Sequence, residues 1–200
     1  MFSGKMLTES QFKVLLILLD DKGHAGWELA DYLEMEDSNL NPILKGLESL
    51  GIIYQGEARK SRKQQKRKGD YKEFPYYLTI NLNGLKIMIR EMARGTKFWD
   101  TGFVLQITMK SKYIKSMREK FGKDLTKTIA DELRESYPPY VNPRFKILVQ
   151  FLLENGLSAP FLEDDLEEVL EKRLERMPIP SELELWYHKY LRLRSSPKNN

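Results

Sequence analysis

Ten consecutive residues, Arg59-Lys60-Ser61-Arg62-Lys63-Gln64-Gln65-Lys66-Arg67-Lys68, carry seven positive charges and no negative one. Charges of one sign at this density repel each other, so the segment has no place in a packed core. Both of its flanks read as strands: Ile52-Ile53-Tyr54-Gln55 before it and Phe74-Pro75-Tyr76-Tyr77-Leu78-Thr79-Ile80 after it. Two strand-like segments joined by a stretch that must stay in water predict a β-hairpin whose long tip spans 57–72. A tip of this kind suits a polyanion, because each Lys or Arg that neutralises a phosphate releases a condensed counterion.

The charge is local. The whole chain has a formal net charge of +4. Residues 1–56 hold four basic side chains (Lys5, Lys13, Lys22, Lys45) against nine acidic ones, a net of −5. A concentrated patch steers a polyanion to one edge of a protein. Two hundred residues, 41% hydrophobic and 31% charged, support one large soluble domain or two small ones. No apolar stretch approaches the roughly eighteen residues that span a bilayer. The first residues lack a signal-peptide core. Cysteine is absent, which rules out disulfides and thiolate metal sites. The expectation is a cytoplasmic protein that does not enter membranes.

Helical punctuation precedes the hairpin. Thr8-Glu9-Ser10-Gln11 is a capping box, with Leu7 and Phe12 at the staple positions. The run from Val14 to Leu19 exceeds one amphipathic face, which predicts a helix buried on most sides. Gly23 follows as its left-handed terminator. A second helix fits Gly26 to Leu33, with Trp27, Ala30 and Leu33 inward. Ser38 is expected to cap a third, whose stripe is Leu40, Leu44, Leu47 and Leu50, and Gly51 ends it. After the hairpin, Asn83-Gly84 opens an amphipathic helix through about Arg94.

This order resembles the winged helix-turn-helix of MarR-type and PadR-type transcription regulators. The residues that carry the likeness are Glu28-Leu29-Ala30 with Leu33, then Leu47-Glu48-Ser49-Leu50-Gly51-Ile52-Ile53, then Tyr76-Tyr77-Leu78-Thr79 with Gly84. It covers residues 5–95, under half of the chain. It implies a DNA-binding domain there, with a recognition helix at about 38–50 in the major groove and a wing on phosphates or in the minor groove. The candidate DNA contacts are Ser38, Asn39, Asn41, Pro42 and Lys45 on that helix. On the wing they are Arg59, Lys60, Arg62, Lys63, Lys66, Arg67, Lys68 and Lys72. Asn pairs bidentately with adenine and Lys reaches guanine or phosphate, although Asn39 and Asn41 also suit a helix start. The wing tip is longer and more basic than is usual in these families. The helix has no Arg, and Glu34, Glu36 and Asp37 lie beside it. Tyr54, Tyr71, Tyr76 and Tyr77 suit either base stacking or cross-strand packing.

The second half, 96–194, reads as an all-helical domain. The stretch Phe98 to Met109 leans to helix. Ile114, Met117, Phe121, Leu125, Ile129 and Leu133 predict one long amphipathic helix over 111–137, weakened at Gly122. Asn142-Pro143 and Pro160 open two further helices. The acidic first turn of the second (Glu163, Asp164, Asp165) matches its macrodipole. Ser181-Glu182-Leu183-Glu184 starts a last helix through about Arg194, and residues 195–200 form a disordered tail. In proteins of the resembled types, helices outside the winged domain join two subunits. The resemblance therefore implies a homodimer through 111–137 and 181–194, with a possible small-molecule effector.

Nothing points to an enzyme. His24 and His188 are far apart, lack a partner at metal-ligand spacing, and read as surface residues. No phosphate loop or nucleophile elbow occurs. No cofactor or metal is expected. The fold class is mainly α with a small β-wing, and the function is a DNA-binding transcriptional regulator. The alternative is a winged-helix module that binds protein or RNA without reading DNA sequence.

Overall fold

The computed structural model describes residues 7–61, 72–93, 101–135 and 182–195. Within them the chain is mainly helical, with a small antiparallel hairpin. Helix α1 is Glu9–Leu18, α2 is Gly26–Leu33 and α3 is Asp37–Ser49. Strands β1 (Ile53–Gln55), β2 (Arg59–Lys60), β3 (Lys72–Glu73) and β4 (Tyr76–Leu78) follow. Then come α4 (Leu82–Ala93), α5 (Thr101–Met109), α6 (Lys112–Phe121), α7 (Lys123–Glu135) and α8 (Glu182–Ser195). The readings at 142–155 and 160–177, Tyr71, Ser181, the acidic cluster 163–165 and the tail 196–200 lie outside the described residues.

The capping box forms as the sequence predicts. Gln11 N–H donates to Thr8 Oγ1 (3.3 Å) and Thr8 N–H to Gln11 Oε1 (2.8 Å). Phe12 and Val14 to Leu18 are all buried, so α1 is the central helix. Around it, α2 buries Leu29 and Ala30, while Trp27 and Leu33 are only partly covered. Helix α3 buries Leu40, Leu44 and Leu47. Its start departs from the expected cap. The N-cap is Glu36, no side chain caps it, and Ser38 Oγ instead donates to Glu36 Oε2 at 3.4 Å. Gly51 takes φ +70° just after α3, a conformation that favours glycine.

The hairpin is built in two ladders. β1 pairs β4 with Ile53 opposite Leu78, and β2 pairs β3 with Arg59 opposite Glu73. Between them Gly56 N–H donates to Pro75 O (2.7 Å), and the register shifts by one residue, as a bulge requires. His24 bridges Tyr76 in both directions, so the segment after α1 lies along the outer edge of β4.

Two expectations about later helices change. Helix α4 starts at Leu82, one residue before Asn83, because Asn81 Oδ1 accepts from Gly84 N–H at 2.8 Å and acts as the cap. The stripe over 111–137 is two helices. Gly122, at φ +53° and ψ −125°, turns the chain between α6 and α7, in a region of backbone space closed to side-chain-bearing residues. Phe98–Met109 is helical over its described part.

Both halves share one hydrophobic core. Helix α7 packs on α4, α5 on α1 and α4, and α8 on α1. The buried Tyr113 hydroxyl of α6 donates to Thr79 O (2.8 Å), at the end of β4. In α6 and α7, Ile114, Met117, Leu125, Ile129 and Leu133 are buried within the chain itself, and Phe121 is partly buried. No described helix is long and apolar enough to cross a membrane.

Candidate nucleic-acid interface

Helix α3 presents one wet face. Its leucines are buried in the core, while Ser38, Asn39, Asn41, Pro42 and Lys45 are all exposed. Pro42 sits early in the helix, where a missing N–H costs little. The exposed row therefore consists of two amides, one hydroxyl and one ammonium, donors and acceptors of the kinds that read base edges. Among the described elements, α3 packs chiefly on α2, α1 and β1. The acidic residues beside them are partly neutralised: Lys189 of α8 reaches Glu34 at 2.7 Å and holds its carboxyl below the ordinary range.

The wing divides into an anchored base and an exposed edge. Lys60 and Lys72 face each other across the β2–β3 ladder and are both exposed. Arg62, Lys63, Lys66, Arg67 and Lys68 lie outside the described residues. Arg59 departs from the expected row of phosphate contacts, because its guanidinium turns inward. Nε donates to Glu73 Oε1 (2.8 Å), one terminal nitrogen to Glu28 Oε2 (3.1 Å) and the other to Gly23 O (3.3 Å). Glu73, only 8% exposed, also accepts from the Trp27 indole N–H at 2.9 Å. Burial alone would raise the Glu73 carboxyl, but the Trp27 and Arg59 hydrogen bonds outweigh it and bring it below the ordinary range.

The network continues toward α8. His24 is a second correction to the sequence reading: it is buried, at 6% exposure, not a surface residue. Its Nε2 lies 3.0 and 3.1 Å from the two Asp20 oxygens, and its Nδ1 lies 3.9 Å from Glu28 Oε2. Asp20 Oδ2 also accepts from Arg194 of α8 at 2.8 Å. Burial opposes ionisation of Asp20, yet His24, the Lys22 N–H and Arg194 together hold its carboxyl below the ordinary range. These groups come from the loop between α1 and α2, from α2, β2, β3 and α8.

Sequence reasoning missed Asp20, His24, Glu28, Glu73 and Arg194 as a set. One signal was present. Glu73 is an acidic residue on the strand that returns from the basic run, at the position that faces its first arginine.

The tyrosines act as hairpin packing. The Tyr54 and Tyr77 rings stack across β1 and β4 with centroids 5.6 Å apart. A side chain at Gly23 or Gly56 would collide with the Tyr77 ring. Tyr76 Oη accepts from Gln55 Nε2 at 2.9 Å. Among the described residues no cluster of His, Asp or Glu could hold a metal ion. Comparison with family models, with characterised proteins and with solved structures gives no match.

Proposed function

We propose that this protein is a DNA-binding regulator of the winged-helix type. In this reading α3 enters the major groove and the basic wing follows phosphates or the minor groove. One observation carries the proposal: α3 sets all five candidate readers in solvent while its leucines fix it to the core. Supporting it are the element order α1–α2–α3–hairpin–α4, the bridge from His24 to Tyr76, and a wing base that is rigidly tied down. A rigid base with a charged tip suits positioning on a duplex, since phosphate contacts fix register and base contacts specify.

The roles divide by position. Lys60, Lys72 and the rest of the run supply affinity without sequence information. Asn39, Asn41 and Lys45 supply base readout, with Ser38 and Pro42 shaping the first turn. Two copies acting on a palindrome fit this architecture. The stripes of α6 and α7 are not spare for such pairing, since the chain buries them itself. A dimer would use α8, where Leu185 and Leu193 are 55% and 52% exposed. The test is selection from random duplex DNA at a stated salt concentration. An enriched palindrome supports both readings, an enriched single half-site supports a monomeric reader, and no enrichment refutes sequence-specific recognition.

A further inference from the structure

We infer that Arg194, on the last helix, is a positioning residue for the wing, acting through the buried chain Arg194–Asp20–His24–Glu28–Arg59–Glu73. The inference builds on the proposal that the wing meets nucleic acid. It adds that the far end of the protein sets how firmly the wing base is held.

The chain sets His24 between two carboxylates, each of which also meets an arginine. Arg194 lies 2.8 Å from Asp20, Asp20 3.0 Å from His24, and His24 3.9 Å from Glu28. Glu28 lies 3.1 Å from Arg59, and Arg59 2.8 Å from Glu73. His24 is the junction. Asp20 faces it from the loop after α1, Glu28 and Tyr32 from α2, and Arg59 and Arg194 bind the two carboxylates from β2 and α8. An ionised carboxylate only accepts, so His24 Nε2 carries the proton that Asp20 receives. Nδ1 then faces Glu28 with no hydrogen bond of its own.

This arrangement gives coupling a direction. Arg194 shares Asp20 with His24. Removing its charge takes away one of the two side chains that hold Asp20, so the carboxylate and the imidazole it orients are held less firmly. An imidazole that shifts beside Glu28 disturbs the oxygen that Arg59 binds. Arg59 then holds the β2–β3 ladder less firmly, and fewer molecules present a docking-ready wing. A loss of competent population lowers affinity without changing how many phosphates are touched.

The Trp27 indole N–H, bonded to Glu73, reports on the wing base directly. The experiment uses the full chain labelled with nitrogen-15, with the Trp27 indole resonance assigned by Trp27→Phe, and random-sequence duplex DNA titrated between 50 and 300 mM salt. Arg194→Gln should displace the Trp27 resonance and weaken binding about threefold at every salt concentration with an unchanged salt slope. Arg194→Lys, which keeps a cation beside Asp20, should restore both. In a His24→Gln background, Arg194→Gln should add nothing further. An unmoved Trp27 resonance in a folded Arg194→Gln protein overturns the inference. So does a slope reduced by about one, because Arg194 would then touch phosphate itself. Absence of salt-dependent duplex binding by the wild type refutes the DNA reading instead, and the Trp27 resonance still decides the coupling.

Discussion

Arg59 and Glu73 face each other across the β2–β3 ladder, with the guanidinium Nε 2.8 Å from a carboxylate oxygen that is almost fully buried. The first cation of the basic run is therefore part of the fold, and the outward row begins at Lys60. This separates two roles that the sequence presents as one uniform stretch of charge.

Removing Arg59 should cost stability, whereas removing its neighbour should not. Arg59→Gln strands Glu73 and Glu28, two poorly exposed carboxylates, and is expected to destabilise by about 2 kcal/mol. Lys60→Gln, at an exposed edge position, should change stability by no more than about 0.5 kcal/mol. Urea unfolding of the two variants beside wild type checks the contrast, and equal midpoints would show that the inward ion pairs contribute nothing.

The same contrast should reverse in DNA binding. Lys60→Gln with Lys72→Gln should lower the slope of log K against log salt by about two, close to one counterion for each lost phosphate contact. Arg59→Gln should leave the slope unchanged while lowering affinity. Binding isotherms at four salt concentrations distinguish these cases, and a slope loss in Arg59→Gln would place that side chain on phosphate.

Acid should weaken the network from both ends. The Asp20 and Glu73 carboxyls are held below their ordinary range in the folded protein. Their contribution is therefore fully present above the unfolded carboxylate range, near pH 4, and fades as pH falls through the lower folded values. Stability measured by urea between pH 6 and pH 2 should drop over the acid part of that range. Asp20→Asn and Glu73→Gln should be less stable than wild type at pH 6 and should lose less on acidification. Parallel curves for wild type and variants would remove these two groups as the cause.

Gly84 should tolerate no side chain. A Cβ there would strike the Gly51 carbonyl and the Thr79 side chain, where α4 begins beneath the end of α3. Gly84→Ala is expected to cost about 1–3 kcal/mol, the usual range for overpacking against backbone. Thermal unfolding checks this, and an unchanged midpoint would mean that the α3–α4 contact is looser than the structure has it.

Much of the N-terminal architecture was legible because its signals are local. Thr8 and Gln11 cap α1 as their spacing requires, Gly51 closes α3, and the leucines of α3 repeat at helical period. The errors came where a tertiary contact decides the outcome. His24 reads as a polar residue after a helix, and its backbone pairing with Tyr76 and its ring contact with Tyr32 enclose it. The stripe through Gly122 keeps helical period on both sides of a break, so periodicity alone misses the turn. That Ser38, Asn39, Asn41, Pro42 and Lys45 would be exposed was legible from the leucine spacing of α3. The inward turn of Arg59 was not, because its partners Glu28 and Glu73 lie 31 and 14 residues away.

The most direct measurement is selection of bound sequences from random duplex DNA at 150 mM salt, run in parallel on wild type and on a variant with Asn39, Asn41 and Lys45 changed to Ala. The account predicts an enriched motif for wild type, and for the variant retained salt-dependent binding with that motif lost. Enrichment of the same motif by the variant, or none by wild type, would contradict readout through α3.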